Sequence, residues 1–101
     1  MAVQLLQENG NPVIAIGKAP GNIGEIPIIT GVPSIREVDT ITIYLNPNNQ
    51  EFYYDYILGI QPHRIIFNPG AENPVLAAMA KRKGIMVLEA CTLVLLHTGQ
   101  Y

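Results

Sequence analysis

The chain has 101 residues, the size of one ordinary domain, with 49% apolar residues, 14% charged residues and a net charge of −2. That balance excludes a disordered chain and suits strands buried on both faces. The six cations (Lys18, Arg36, Arg64, Lys81, Arg82 and Lys83) gather only at 81–83, so no basic face is laid out for phosphate backbones and nucleic acid is excluded as a partner.

Ala2, Leu5 and Leu6 recur at helical spacing, with Val3 widening the stripe, and Gly10 supplies the left-handed residue that closes a helix. Val13 to Ile16 is a short β-branched run, predicted as a buried strand. GKAPGNIG follows and reads as a loop, because three Gly and one Pro in eight residues suit neither a helix nor a central strand. IPII is a second short strand, which Pro27 is expected to keep off a central ladder. Ser34 to Glu37 has capping-box spacing and predicts one helical turn.

Thr40 to Leu45 (TITIYL) is a strand by composition. It ends at Asn46-Pro47, a good N-cap followed by a Pro tolerated at the first helical position. The helix predicted from Pro47 to about Gly59 puts Phe52, Tyr53, Tyr56, Ile57 and Ile60 on one stripe. Arg64 to Phe67 is the next strand. Asn73-Pro74 repeats the cap-then-Pro start, and that helix turns Val75, Leu76, Met79 and Ala80 inward before stopping at Gly84. Ile85 to Leu88 is the last strand, and ACTLVLLHTGQY is a final apolar turn or short helix. Short apolar strands alternating with helices predict an α/β fold, a parallel sheet with helices on both faces.

In such a sheet, ligands bind beyond the carboxyl ends of the strands. The loops Gly17 to Gly21, Leu45 to Asn48, Asn68 to Ala71 and Glu89 to Thr92 occupy that edge. Lys18 suits a phosphate better than a ribose hydroxyl, although a solvated loop lysine also explains it. The two Asn-Pro steps offer free N–H groups at helix starts, and simple capping accounts for them equally. Asn68-Pro69-Gly70-Ala71 fits a type II turn with Gly at its third position. Cys91 has Glu89 and apolar residues beside it, an environment that favours a buried structural thiol over a nucleophile.

His63 and His97 share no ligand-spaced motif with Cys91 or a carboxylate, so no metal site is predicted. The only serine, Ser34, reads as a cap and argues against a Ser-His-Asp hydrolase. Tyr53, Tyr54 and Tyr56 read as packing rather than a stacking platform. The single Cys91 excludes an internal disulfide and fits a reducing compartment. No signal peptide and no membrane-length apolar run is seen, so a cytoplasmic protein is expected.

GKAPGNIGEIPI, TITIYLNPNNQEFYYDYI, RIIFNPGAENPVL and GIMVLEACTLVLLHTGQY, in this order and spacing, resemble the small bacterial CoA-binding-domain proteins. These are Rossmann-like and similar to the CoA-binding domain of the succinyl-CoA synthetase alpha subunit. The resemblance covers essentially all of residues 1–101 as a single domain and implies a three-layer parallel sheet with helices on both faces. It implies coenzyme A or an acyl-CoA as ligand, lying across the carboxyl edge, without intrinsic catalysis. Carried over by position, Gly17 and Lys18 meet the ADP phosphates. Leu45, Asn46 and Pro47 line the adenine and ribose side, and Asn68, Pro69 and Gly70 line the pantetheine path. Cys91 matches a Cys commonly found after the last strand.

The family begins with a further strand and glycine loop ahead of a helix like AVQLLQENG, so the resemblance also implies an N-terminally truncated fold whose first strand is absent. That strand is normally central, between those at Val13 and Thr40. Without it, both neighbours keep an unpaired edge, and a destabilised chain prone to self-association, as a homodimer for instance, is expected. The alternative to a CoA binder is therefore an interaction or self-association module with a vestigial nucleotide site. Adenine-nucleotide or NADP binding is a close relative of the first reading. Thioester chemistry at Cys91 is a third, for which the sequence shows no activating group.

Overall fold

Strand RIIF is apolar without alternation, and it sits where such a run belongs. The computed structural model describes residues 5, 6, 8, 10, 14–16, 21–23, 26–31, 35 and 37–101. These fall into two compact units, Ile35–Thr92 and Met1–Ser34 with Leu93–Tyr101. The strands are β1 (Ala15–Ile16), β2 (Gly21–Ile23), β3 (Ile26–Ile29), β4 (Thr40–Ile43), β5 (Arg64–Phe67) and β6 (Met86–Glu89). The helices are α1 (Tyr54–Ile60), α2 (Pro74–Arg82) and α3 (Thr92–His97), and Leu5, Leu6 and Glu8 are helical as well.

In the unit Ile35–Thr92, β4, β5 and β6 form a parallel sheet with β5 in the centre. Ile41 pairs with Ile65 and Ile65 with Val87, so the apolar residues stack in register. Ile65, Ile66 and Phe67 are all fully buried, as expected for a parallel strand covered on both faces. Ile65 and Phe67 join Ile43, Ile57, Leu58, Leu76, Ala77 and Ala80 in one core cluster. Ile66 alternates to the opposite face.

Helix α2 has the predicted start and stop. Asn73 Oδ1 accepts from Leu76 N at 3.1 Å, Pro74 takes the first turn, and Gly84 closes the helix at φ +80°. Its inward stripe is Leu76, Ala77 and Ala80. Val75 falls outside that stripe and is 60% exposed, which corrects its expected inward position.

The helix expected from Pro47 to Gly59 is broken. Two 3-10 turns, Pro47–Asn49 and Glu51–Tyr53, precede α1. Gln50 lies between them, fully buried, its side chain bonded to carbonyls outside the helix. A 3-10 turn has three residues per turn instead of 3.6, so the stripe slips and Phe52 ends 73% exposed. The chain leaves α1 through Gln61 in the left-handed conformation.

In the other unit the order is β1-β3-β2. β1 runs parallel to β3, and β2 runs antiparallel to it. The sheet of this unit is therefore mixed, and the described strands fall in two three-stranded sheets. Gly21–Ile23 is strand where a loop was expected, although it lies at an edge, where weak strand formers are tolerated. Pro27 sits in the central strand, against expectation. Among the described residues β1 pairs only with Ile28 and Ile29, so no described ladder partner on that side is owed an N–H by Pro27.

Ala15 and Ile16 are half-buried and Ile14 is 54% exposed, so this strand is not the buried one expected. Val13 lies outside the described residues. Ile35 and Glu37 are not helical, and Glu37 has φ +58°, which corrects the expected turn there; Ser34 and Arg36 lie outside the described residues. Among the described residues β1 pairs only with β3 and β4 only with β5.

Candidate functional site at the carboxyl edge of the parallel sheet

Three of the four expected site loops leave the carboxyl ends of β4, β5 and β6 side by side. Asn68, the first residue after β5, ties them together. Its backbone N–H and its Nδ2 both donate to the Ile43 carbonyl, at 3.1 and 3.0 Å. Its Oδ1 accepts from Thr92 N at 2.8 Å, at the start of α3. The Asn68 side chain is 1% exposed, so its amide shapes the edge from beneath.

The turn after Asn68 is the predicted type II. Ala71 N donates to Asn68 O at 2.8 Å and Gly70 has φ +89°. A Cβ at Gly70 would meet nothing within 4 Å, and both Pro69 and Gly70 are exposed, so the turn presents open backbone. Glu72 Oε1 accepts the Gly70 N–H at 2.8 Å and fixes the turn from one side.

A second buried amide joins this turn to the loop after β4. Gln50 Nε2 donates to Leu45 O at 2.8 Å and to Ala71 O at 2.7 Å. Asn73 Nδ2 donates to Gln50 Oε1 at 3.0 Å and to Tyr54 Oη at 2.8 Å. With Asn73 Oδ1 on Leu76 N, every donor of both amides is used. Asn46 caps its own turn, Oδ1 accepting from Asn48 N at 2.9 Å, and stays exposed with Asn48 and Asn49. Leu45 and Pro47 are half-buried at its flanks.

Leu45, Asn46, Pro47, Asn68, Pro69 and Gly70 thus come together in one unit, while Gly17 and Lys18 lie outside the described residues. Gln50, Asn73 and Tyr54 were not expected at this edge except as cap or packing. The signal for Gln50 is slight: one long amide just after an Asn-Pro start. Thr92 is also new. It is fully buried, and its Oγ1 has no hydrogen-bond partner among the described residues. Cys91 is a half-buried free thiol. Among the described residues no group of three His, Cys, Asp or Glu could hold a metal ion, and no helix is long and apolar enough to cross a membrane.

The family model for the CoA binding domain matches residues 1–97. The chain belongs to that CoA-binding-domain family. A crystal structure of an uncharacterized protein matches with a TM-score of 0.96 at 41% sequence identity, over 99% of this chain and 83% of that one. Prb, the PH1109 protein redesigned for binding, matches at 0.81 and 14% identity, over 98% and 70%. The cell-free ID.343 protein from Thermus thermophilus matches at 0.81 and 18% identity, over 99% and 77%. The last two share the Rossmann-like fold alone. No curated protein matches.

The described edge of this CoA-binding-domain chain presents mainly neutral polar groups. Exposed amides at Asn46, Asn48 and Asn49 and the open turn at Pro69-Gly70 can exchange hydrogen bonds with an uncharged polar ligand. Its charged members, Glu72 and Glu89, are acidic, so the described edge has no cation for a diphosphate. Among the expected site residues the only cation is Lys18.

Proposed function

We propose that the chain binds coenzyme A or an acyl-CoA at the carboxyl edge and catalyses nothing itself. Membership of the CoA-binding-domain family carries the reading. The geometry supports it through the rigid pairing of two loops by Gln50, which holds backbone and amide groups in place before a ligand arrives. In this reading Leu45, Asn46 and Pro47 take the adenine and ribose, Pro69 and Gly70 take the pantetheine arm, and Asn68 holds the edge in shape. The diphosphate falls to Gly17 and Lys18, an assignment that rests on sequence alone.

The test is a calorimetric titration of CoA with ADP as the control. Saturable binding, tighter for CoA than for ADP, is expected. Equal affinities would replace it with an adenine-nucleotide site, and absence of heat with either ligand would remove it. A Lys18→Ala chain is expected to lose affinity for both ligands, because both carry the diphosphate.

A further inference from the structure

Strand β6 pairs with β5 on one side and with no strand on the other among the described residues. In a parallel ladder each residue turns both its N–H and its C=O toward the same neighbour. Met86 N donates to His63 O and Ala90 N to Phe67 O, each at 3.1 Å, so Met86, Leu88 and Ala90 face β5. Val87 and Glu89 turn their main-chain groups outward. Beside this edge runs a groove of about 400 Å³ lined by Pro74, Ala77, Ala78 and Lys81 of α2 and Val87 and Glu89 of β6.

The groove carries its two charges at its ends, with Pro74, Ala77, Ala78 and Val87 between them. Ile85 N donates to Ala80 O at 3.1 Å, which sets the last turn of α2 over the start of β6. Lys81 therefore marks one end and Glu89 the other, about 13 Å apart at strand rise. Both are exposed, and neither has an ion-pair partner among the described residues. A solvated lysine and an edge-guarding glutamate would account for each alone. They would not account for the match between them.

A two-fold axis reverses the groove end for end, so a second copy brings its negative end to the positive end of the first. A parallel approach would oppose like charges instead. We propose that the chain self-associates through β6, two copies pairing antiparallel about a two-fold at Leu88. Val87 of each copy then lies opposite Glu89 of the partner subunit, exchanging N–H···O=C bonds between the groups that face outward. Glu89 of the partner subunit then lies on the same face about 7 Å along the strand from the level of Lys81, within reach of the long lysine side chain. The pairing joins two three-stranded sheets into one continuous sheet and covers the groove.

The experiment measures molecular mass by sedimentation over a range of protein concentrations for the full chain, Lys81→Glu, Glu89→Lys and the double swap. The expected result is a dimer that each single reversal weakens about tenfold or more and that the swap restores to within about threefold. Circular dichroism checks that these exposed substitutions leave the fold intact. In a Cys91→Ser background, Leu88→Cys is expected to form an interchain disulfide under mild oxidation, because directly opposed residues not bonded through their main chains bring Cα atoms to about 4.5 Å. A chain monomeric at every concentration overturns the proposal. So does a dimer indifferent to both reversals, or one that the swap fails to restore.

Discussion

Asn73 donates through Nδ2 to Gln50 Oε1 at 3.0 Å, and this one bond closes a buried circuit between the loop after β4 and the loop after β5. Gln50 is fully buried and Asn73 is 4% exposed, so both amides left water completely or nearly so on folding. Buried amides are tolerated when every donor is matched, and here every donor is. The circuit ties the two loops together.

Replacing Gln50 by Leu leaves the Leu45 and Ala71 carbonyls and one Asn73 N–H without their partner. A loss of about 3 kcal/mol is expected. Urea titration should show a lower midpoint with an unchanged slope, and CoA affinity should fall with it. Gln50→Leu and Asn73→Ala should also be strongly non-additive when combined, because they break the same circuit. Additive losses would mean that the loops are held independently.

Gly70 and Gly84 make a matched pair. Their φ values are +89° and +80°, and an added Cβ would meet nothing within 4 Å at either. Gly70→Ala and Gly84→Ala should each cost about 1 kcal/mol, from backbone strain alone. Only Gly70→Ala should weaken CoA binding, since Gly84 closes α2 at the other end of the sheet. Equal effects on affinity would place the ligand elsewhere.

Thr92 Oγ1 is buried with no partner among the described residues, an arrangement that costs stability. Thr92→Val keeps the shape and removes the orphan oxygen, and should raise stability by about 1 kcal/mol. The Asn68 bond to Thr92 N is a main-chain contact and survives the change. A destabilised Thr92→Val would show that the hydroxyl does have a partner in solution.

Burial pushes the Tyr56 phenol above its ordinary value of 10.0. A group raised in the folded state contributes its full stability below the ordinary pKa and loses it as pH rises through the raised one. Urea midpoints followed from about pH 8 to about pH 11 should therefore fall more for the parent chain than for Tyr56→Phe. Parallel profiles would show that Tyr56 does not differ between folded and unfolded chains.

Local chemistry was legible where its cause is local. Asn46, Asn73, Pro47, Pro74 and the type II turn at Gly70 all stand as their residue types dictate, and β4, β5 and β6 fall on the predicted runs to within two residues at each end. What the chain order hides is pairing at a distance. Gln50 breaks its helix because its amide is drawn to Ala71, 21 residues away, and no periodicity carries that information. Pro27 misled for the same reason, since whether a strand edge needs its N–H depends on how far the neighbouring strand extends. At the site, the loops were legible from position along the chain, whereas the buried amides holding them were not.

Rigidity at the base of the edge and exposure at its tips have a consequence for how such a site can change. Asn48, Asn49, Pro69 and Gly70 are exposed, while Gln50 and Asn73, which make the circuit, and Asn68 are buried. Substitutions at the tips alter what the loops touch without disturbing what anchors them. Ligand preference can therefore drift, or be engineered, along Asn48, Asn49 and Pro69 at little cost to folding, whereas any change to the amides below moves recognition and stability together.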